Sequence, residues 1–416
     1  MNAPTPPTTR VRIFYPSDPL GTVPGGIETF IRGLIGWAPE DIEFSVVGLT
    51  TDAQTRPVGR WLSCQLRGNT YRHFATYAVD DPSRQPRVPA TVRYLAALAP
   101  RRGLVDRSAY DVAEVHRLEP VALLPRGTQI SAILHQDSAV LYDRGSDIRW
   151  RHLPGLYFAL ESRLIARTAS VFSVFQSAVD GFKQRYPTLA SRVRFTPTWF
   201  DSDRFAVPQL AVRGEARQAL CQRLGLGENA ALMVQVGRLE SQKEPALALR
   251  TLARLAQNDD GREWGLVYVG DGSLRQQLET TARSLGVAER VHITGLLPPE
   301  AIGAYLHGAD VFLLPSRYEG MPIALLEAMA TGLPAVASDV GEVRRVLRDG
   351  VNGWVIPTHE RSAEHFAAAV ARVMTLSASM PRERLDQACV EAVTPYAPER
   401  VLGPLYDNYR ELRQSA

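Results

Sequence analysis

The chain has 416 residues, too many for one ordinary hydrophobic core, so two domains of about 200 residues each are expected. It is 45% hydrophobic and 22% charged, with no run of about 18 uncharged apolar residues to serve as a membrane span. The net charge of +3 is uneven: residues 1–204 carry 25 Lys+Arg against 19 Asp+Glu, the remainder 22 against 25. The basic first half suits an anionic lipid surface or a phosphorylated acceptor as well as it suits scattered surface arginine, and no nucleic-acid partner is expected. The opening Met1–Arg10 is polar and lacks the apolar stretch of a secretory signal. Cys64, Cys221 and Cys389 are widely spaced, which argues against a disulfide framework and against a Cys-rich metal site. The expected compartment is cytoplasmic.

In chain order, Val11–Pro16 reads as a short strand, followed by a glycine-bearing loop and a helix with apolar residues at Ile27, Phe30, Ile31, Leu34 and Ile35. Phe44–Thr50, Val112–His116, Ile130–His135 and Val171–Phe175 read as further strands, and Ile148–Thr168 as a helix rich in arginine and aromatics. Residues 52–110 look irregular, interrupted by Pro82, Pro86 and Pro89, and Arg194–Phe205 reads as an exit loop. A second unit starts near 210, with strands at Ala231–Gly237, Gly265–Gly270, Val291–Gly295, Val311–Pro315 and Pro334–Ser338. Helices are expected between them, including Pro245–Gln257 and Ser273–Leu285, and a last helix at Pro398–Arg413. Strands alternating with helices indicate an α/β fold with doubly wound parallel sheets, whose ligands bind at the carboxyl ends of the strands. The expected division is 1–204 and 205–394, with residues 395–416 crossing back onto the first domain.

The chemistry concentrates on those strand ends. Glu319 lies in a loop and Glu327 is expected two turns into the next helix, so both carboxylates can face one site if the loop bends. Between them Gly320, Met321 and Ile323 offer backbone N–H groups at a helix start, suited to hydroxyls or phosphate oxygens. Carboxylates accept paired hydrogen bonds from the vicinal diols of sugars and ribose. Arg238 and Lys243 lie five residues apart across another strand–helix loop, where both can reach one pyrophosphate. Only Lys183 and Lys243 are lysines among 47 basic residues, so the lysine at 243 suggests a compact point charge is wanted there. No GxxxxGK[ST] loop occurs, and Gly270-Asp-Gly272 lacks the last glycine of GxGxxG, which disfavours a dehydrogenase. Gly25–Gly26 precede the first helix and leave room for a phosphate at its start. His135, followed by Gln136 and Asp137, closes a strand and could hydrogen-bond a sugar hydroxyl; a structural histidine is the alternative, and His116 is a second candidate.

These segments resemble glycosyltransferase family 4, the group-1 glycosyl transferases of GT-B fold, most specifically over 231–357. The motifs are VGRLESQK, VGDGSLRQQLE, the long block through PSRYEGMPIALLEAMATGLPAVASDVG, and DGVNGWVIP; GGIETFIRGL and the HQD loop carry the resemblance more thinly. The resemblance implies two Rossmann-like domains facing each other across a cleft and retaining transfer from a nucleotide sugar, with no metal and no cofactor beyond that donor. It assigns Glu327 to the ribose hydroxyls and Glu319, with the N–H groups after it, to the donor sugar. Arg238 and Lys243 fall to the diphosphate, Gly26 to the phosphate side, His135 to the donor sugar, and Gly295 to the nucleotide site. The implied donor is a UDP- or GDP-sugar and the acceptor a hydroxyl of a glycan or lipid-linked glycan, as in polysaccharide or glycoconjugate biosynthesis. Segment 148–168 suits peripheral contact with the inner membrane face, unless its aromatics are core. Glu244 departs from the glycine common at that position and is expected to start a helix, pointing away from the phosphates. A nucleotide-sugar epimerase or hydrolase of the same fold, or a non-catalytic scaffold, remains the alternative.

Overall fold

The computed structural model describes residues 8–21, 26–80, 88–135, 154–257 and 261–415. Two compact units divide the chain, one formed by 1–198 together with 398–416 and the other by 199–397. The first boundary thus lies after Thr198 and not after Arg204, and the chain re-enters the first unit at Pro398.

In the first unit, β1 (Thr9–Phe14), α1 (Gly26–Gly36) and β2 (Ile42–Thr50) are followed by β3 (Trp61–Leu66), β4 (Asn69–Ala78) and α2 (Ala90–Leu98). Next come β5 (Val112–Val115), β6 (Gln129–Leu134), α3 (Pro154–Ile165), β7 (Ser170–Ser173), α4 (Gln176–Arg185) and β8 (Val193–Phe195). Among the described residues these strands form one sheet in the order β3-β4-β2-β1-β5-β6-β7-β8, parallel except for β3 against β4. Its central strands are buried along nearly their whole length, because helices cover both faces, and so they read as continuous apolar runs.

Two expectations need correction here. Residues 61–78, expected to be irregular, form a hairpin whose two-residue turn, Arg67–Gly68, has φ of 52° and 87°. Positive φ at both positions is the turn geometry that matches strand twist. Its strands carry polar residues on their outer face, which hid the alternation. The expected exit loop at 194–205 begins inside β8, a short edge strand paired with β7. Of the helix expected over 148–168, only 154–165 falls within the described residues as helix.

The second unit runs α5 (Leu210–Leu224), β9 (Ala231–Val236), α6 (Pro245–Ala256), β10 (Trp264–Val269), α7 (Arg275–Ser284), β11 (Val291–Ile293) and α8 (Pro299–Gly308). It continues with β12 (Val311–Leu314), α9 (Ile323–Ala330), β13 (Ala335–Ser338), β14 (Gly353–Ile356), α10 (Ala363–Ser379) and α11 (Arg382–Val393). The sheet is all parallel, in the order β11-β10-β9-β12-β13-β14. Side chains alternate between two cores: Leu232, Val234 and Val236 of β9 face one, Ala231 and Met233 the other. Counted within the unit the order is 3-2-1-4-5-6, so the direction of winding reverses between β9 and β12. Adjacent loops there leave in opposite directions and open a crevice at the carboxyl ends.

α12 (Pro398–Gln414) packs on the first unit. Tyr406 donates to the Leu34 carbonyl at 3.0 Å, Arg410 holds both carboxylate oxygens of Asp41 at 2.7 and 2.8 Å, and Asn408 reaches Ser170 at 3.1 Å.

Candidate active site

The loop after β9 is shaped by its neighbours. Gly270, at the end of β10, has φ of 148°, and a Cβ there would stand 2.0 Å from the Gly237 carbonyl oxygen. A Cβ at Gly272 would stand 2.5 Å from the Leu239 carbonyl oxygen. Backbone bonds then tie Gly237 to Val269 (3.0 Å) and Leu239 to Asp271 (2.9 Å), while the Glu240 carboxylate accepts from the N–H and hydroxyl of Ser273. The Gly-Asp-Gly segment is therefore a brace for the 237–243 loop. This role needs only close backbone approach, so it required no dinucleotide fingerprint.

On that braced loop the Arg238 side chain is exposed, with no hydrogen-bond or ion-pair partner among the described residues. Lys243 turns inward, and its Nζ lies 2.6 Å from Glu319 Oε1. Ends of β9 and β12 thus meet through one ion pair, with the carboxylate side chain only 8% exposed. Gln242 reinforces the junction, accepting from the Arg317 N–H at 2.9 Å and donating to the Tyr318 carbonyl at 3.1 Å.

Glu244 caps α6 from the left-handed region, at φ 43° and ψ 52°. Its carboxylate accepts from Arg317 Nε at 2.6 Å and from Arg361. The residue does start a helix, in a conformation that glycine adopts without strain.

Glu319 is held from behind. Gly341, at φ 54°, brings its backbone against this turn: a Cβ there would lie 2.1 Å from the Gly320 carbonyl oxygen and 2.3 Å from that of Glu319. Glu342 N–H donates to the Gly320 carbonyl at 3.0 Å. Pro322 then precedes α9, so the helix starts only at Ile323, and Glu327 stands one turn into it instead of two. Residues 319–322 supply the bend that the expectation made conditional. At the head of α9 the Pro322 carbonyl accepts the N–H groups of Leu325 and Leu326, at 3.0 and 3.3 Å.

Glu327 is partly buried, and its carboxyl is pushed up to about 7. Burial is the main cause and the charge of Asp201 adds to it, while Arg204 opposes. Arg204 in turn pairs with Asp201 at 3.1 Å and with Glu300 at 3.1 Å. Asp201 and Arg204 sat inside the expected exit loop and carried no local signal of a role. Gly295 has φ of 75°, and its backbone bridges to Gly270.

The first unit holds the remaining candidates. Gly26 opens α1, where a Cβ would meet nothing within 4 Å among the described residues, and Gly25, Gln136 and Asp137 lie outside the described residues. His135 follows β6, with Nε2 2.9 Å from His116 Nδ1 and with the Phe30 ring of α1 edge-on at 5.1 Å. The two histidines, weighed separately in the sequence, are one unit. No helix among the described residues is long and apolar enough to cross a membrane.

Comparison with known proteins bears on the second unit most directly. Residues 217–390 match the model of "Glycosyl transferases group 1". This stretch is similar to group 1 glycosyl transferases. It contains Arg238, Lys243, Glu319 and Glu327. Among curated proteins, alpha-D-kanosaminyltransferase of Streptomyces kanamyceticus is 30% identical over 246 residues, 59% of this chain and 59% of that protein. The chain thus spans less than two thirds of that relative's length, and smaller shares of the others. Among solved structures, sucrose-phosphate synthase from Thermosynechococcus elongatus superposes with a TM-score of 0.75 at 19% identity, covering 98% of this chain and all of that one (100%). Anabaena Alr3699/HepE, in complex with UDP and glucose, gives a TM-score of 0.68 at 17% identity, over 97% and 100% of the two chains. These likenesses show a GT-B fold, two parallel-sheet domains of which the second holds the matched stretch.

Proposed function

We propose that this chain is a retaining glycosyltransferase, moving a hexose-type sugar from a UDP- or GDP-sugar onto a hydroxyl of a glycan or lipid-linked glycan. The observation that carries the reading is the Lys243–Glu319 pair at the strand-order reversal, with the exposed Arg238 on the same braced loop. Breaking the anomeric C–O bond moves negative charge onto the departing diphosphate and positive charge onto the sugar. Arg238 and Lys243, fixed before the reaction, stabilise the first, and Glu319 sits where a sugar hydroxyl can donate to it and where its charge favours the second. Glu327 takes the ribose diol, and the N–H groups of Gly320, Met321 and Ile323 take hydroxyl or phosphate oxygens. Gly295 borders the nucleotide, and Gly26 and His135 serve the phosphate and sugar from the first unit. The acceptor hydroxyl attacks from the face the diphosphate leaves, and a phosphate oxygen receives its proton. This chemistry needs neither a protein nucleophile nor a metal ion.

The UDP and glucose in the Anabaena protein support a nucleotide-sugar donor. The test is a melting panel with UDP, GDP, ADP and their common sugar conjugates, because a ligand that binds the native state raises its melting temperature. A rise with a uridine or guanosine diphosphate and its conjugates is expected. No rise with any of them would overturn the reading, and release of free sugar or an epimer from the bound donor would replace transfer by hydrolysis or isomerisation.

A further inference from the structure

At the carboxyl edge of the first unit's sheet, two half-buried arginines lack the acceptors that shielded guanidinium groups need. β4, β2, β1 and β5 are adjacent and parallel, so their carboxyl ends share one edge, where ligands bind in folds of this kind. Tyr77 is the last residue but one of β4, Tyr15 follows β1, and His116 and Arg117 follow β5. α2 packs on β4, and its Tyr94 hydroxyl donates to the Val47 carbonyl of β2 at 2.6 Å. The Thr91 hydroxyl of α2 accepts from Arg117, and Arg93 of α2 lies over the Tyr77 ring, 4.8 Å from its centroid. One short helix thus carries one of the arginines and holds the other.

A guanidinium offers five N–H donors, and each one drawn out of water needs an acceptor. Other shielded arginines of this unit have theirs. Arg56 pairs with Asp18 at 3.0 Å, Arg12 donates to Ser45 and to the carbonyls of Leu104 and Ala109, and Arg167 donates to the carbonyls of Val121, Leu124 and Pro125. Among the described residues Arg117 has the Thr91 hydroxyl alone, Arg93 has no hydrogen-bond acceptor, and neither forms an ion pair. Their spare N–H groups are not sealed in the core, so a ligand can reach them. Arg117 also faces Tyr15, whose hydroxyl burial raises, with Glu28 adding to the rise and Arg117 opposing it. One residue before Arg117, His116 places its Nδ1 2.9 Å from His135 Nε2, the residue assigned to the donor sugar.

We infer that Arg93 and Arg117 bind the phosphate of a phosphate-bearing acceptor, seated at the carboxyl edge between β4 and β5. A phosphate monoester brings about −1.5 to −2 charges at pH 7 and oxygens enough for two guanidinium forks arriving from different elements. The excess of Lys+Arg over Asp+Glu in residues 1–204, 25 against 19, draws such an anion towards this unit. That the ligand is an acceptor rests on the proposed glycosyl transfer, but the binding test does not. A soluble sugar phosphate and a lipid phosphate headgroup share this chemistry, and the test separates them.

The full chain is titrated calorimetrically with glucose and with glucose 6-phosphate. The wild type should bind the phosphate ester about tenfold more tightly or better, the worth of one charge-assisted hydrogen bond. Arg93→Gln and Arg117→Gln should each lose most of that preference, while their free melting temperatures and their melting shifts with UDP or GDP stay as in the wild type. Lys243→Ala, which removes a cation of the second unit, should keep the preference. A preference that survives both glutamine variants, or that disappears in Lys243→Ala, overturns the inference. The lipid arm is sedimentation with phosphatidylcholine vesicles, with and without phosphatidic acid. Binding that needs phosphatidic acid and is lost in both glutamine variants supports the site with a lipid-borne phosphate. Equal affinity for the two sugars together with indifference to phosphatidic acid overturns it. If the arginine-dependent preference is found while no nucleotide raises the melting temperature, the transfer reading falls and the phosphate site stands.

Discussion

Among the described residues Lys243 has a single counter-charge, Glu319 at 2.6 Å, and a bound diphosphate would compete for it. Replacing Lys243 by alanine should lower kcat by about 10²–10³, the usual effect of removing one preorganised donor at a developing charge. The same change strands Glu319, so the melting temperature should fall by the equivalent of about 1–3 kcal/mol. Steady-state kinetics and a thermal melt separate the two effects, and near-normal turnover would remove Lys243 from the mechanism. Glu327 gives a pH signature. Its folded value, about 7, lies above the ordinary 4.5, so the folded state holds a proton here that the unfolded chain has released. This group's contribution to stability is therefore complete below about 4.5 and is lost as pH rises through about 7. Under the proposed function binding runs the other way, because a ribose diol held by Glu327 would need its ionised form. Titration calorimetry should show nucleotide affinity weakening by up to about tenfold per unit as pH falls below 7. Asp201→Asn should move that midpoint to lower pH. Glu244 combines backbone strain with two arginine partners. Glu244→Gly relieves the strain and Glu244→Ala does not, so glycine should melt above alanine by the equivalent of about 1 kcal/mol.

At the scale of elements, the site is made by close backbone approach. Gly270→Ala would put a methyl 2.0 Å from the Gly237 carbonyl, and the left-handed turn at Gly341 leaves no more room against Gly320. Each alanine should destabilise by on the order of 3 kcal/mol, and Gly270→Ala should also displace the loop that carries Arg238 and Lys243. Chemical denaturation and kcat together check this: loss of stability without loss of turnover would mean the brace does not position the cations. The same contacts explain what could be read from sequence. Strands such as ALMVQV and VFLL announce themselves because both faces are buried, and the Glu319–Glu327 pair because it is local. Arg238 and Lys243 stood out as cations on a strand–helix loop, but their brace at 270–273 lies some thirty residues on and shows only in three dimensions. The hairpin at 61–78 was hidden by an Arg–Gly turn in place of the commoner Asn–Gly, and by polar residues on its outer face. His116 and His135 were illegible as a pair, since only the pairing of β5 with β6 makes them neighbours.

For the molecule as a whole, α12 decides the fate of the first unit. Val401, Leu402, Leu405, Tyr406 and Tyr409 are all buried there. At about 1.5–3 kcal/mol for each such side chain, removing the helix exceeds the ordinary margin of about 5–15 kcal/mol once its polar contacts to Glu114, Asp41 and Leu34 go too. A chain cut after Ala397 should lose the melting transition of the first unit and keep that of residues 199–397, which are contiguous and have their own cores. Calorimetry that shows both transitions intact would contradict this. The same connectivity sets an order in time. Proteins leave the ribosome from their N-terminus, and domains usually fold as they emerge. Here the unit begun first lacks helix α12 until residues 398–416 have been made, while the unit of residues 199–397 is already complete. Nascent chains of intermediate length therefore carry a finished second unit and an apolar sheet face, with a carboxyl at its centre, that is still uncovered.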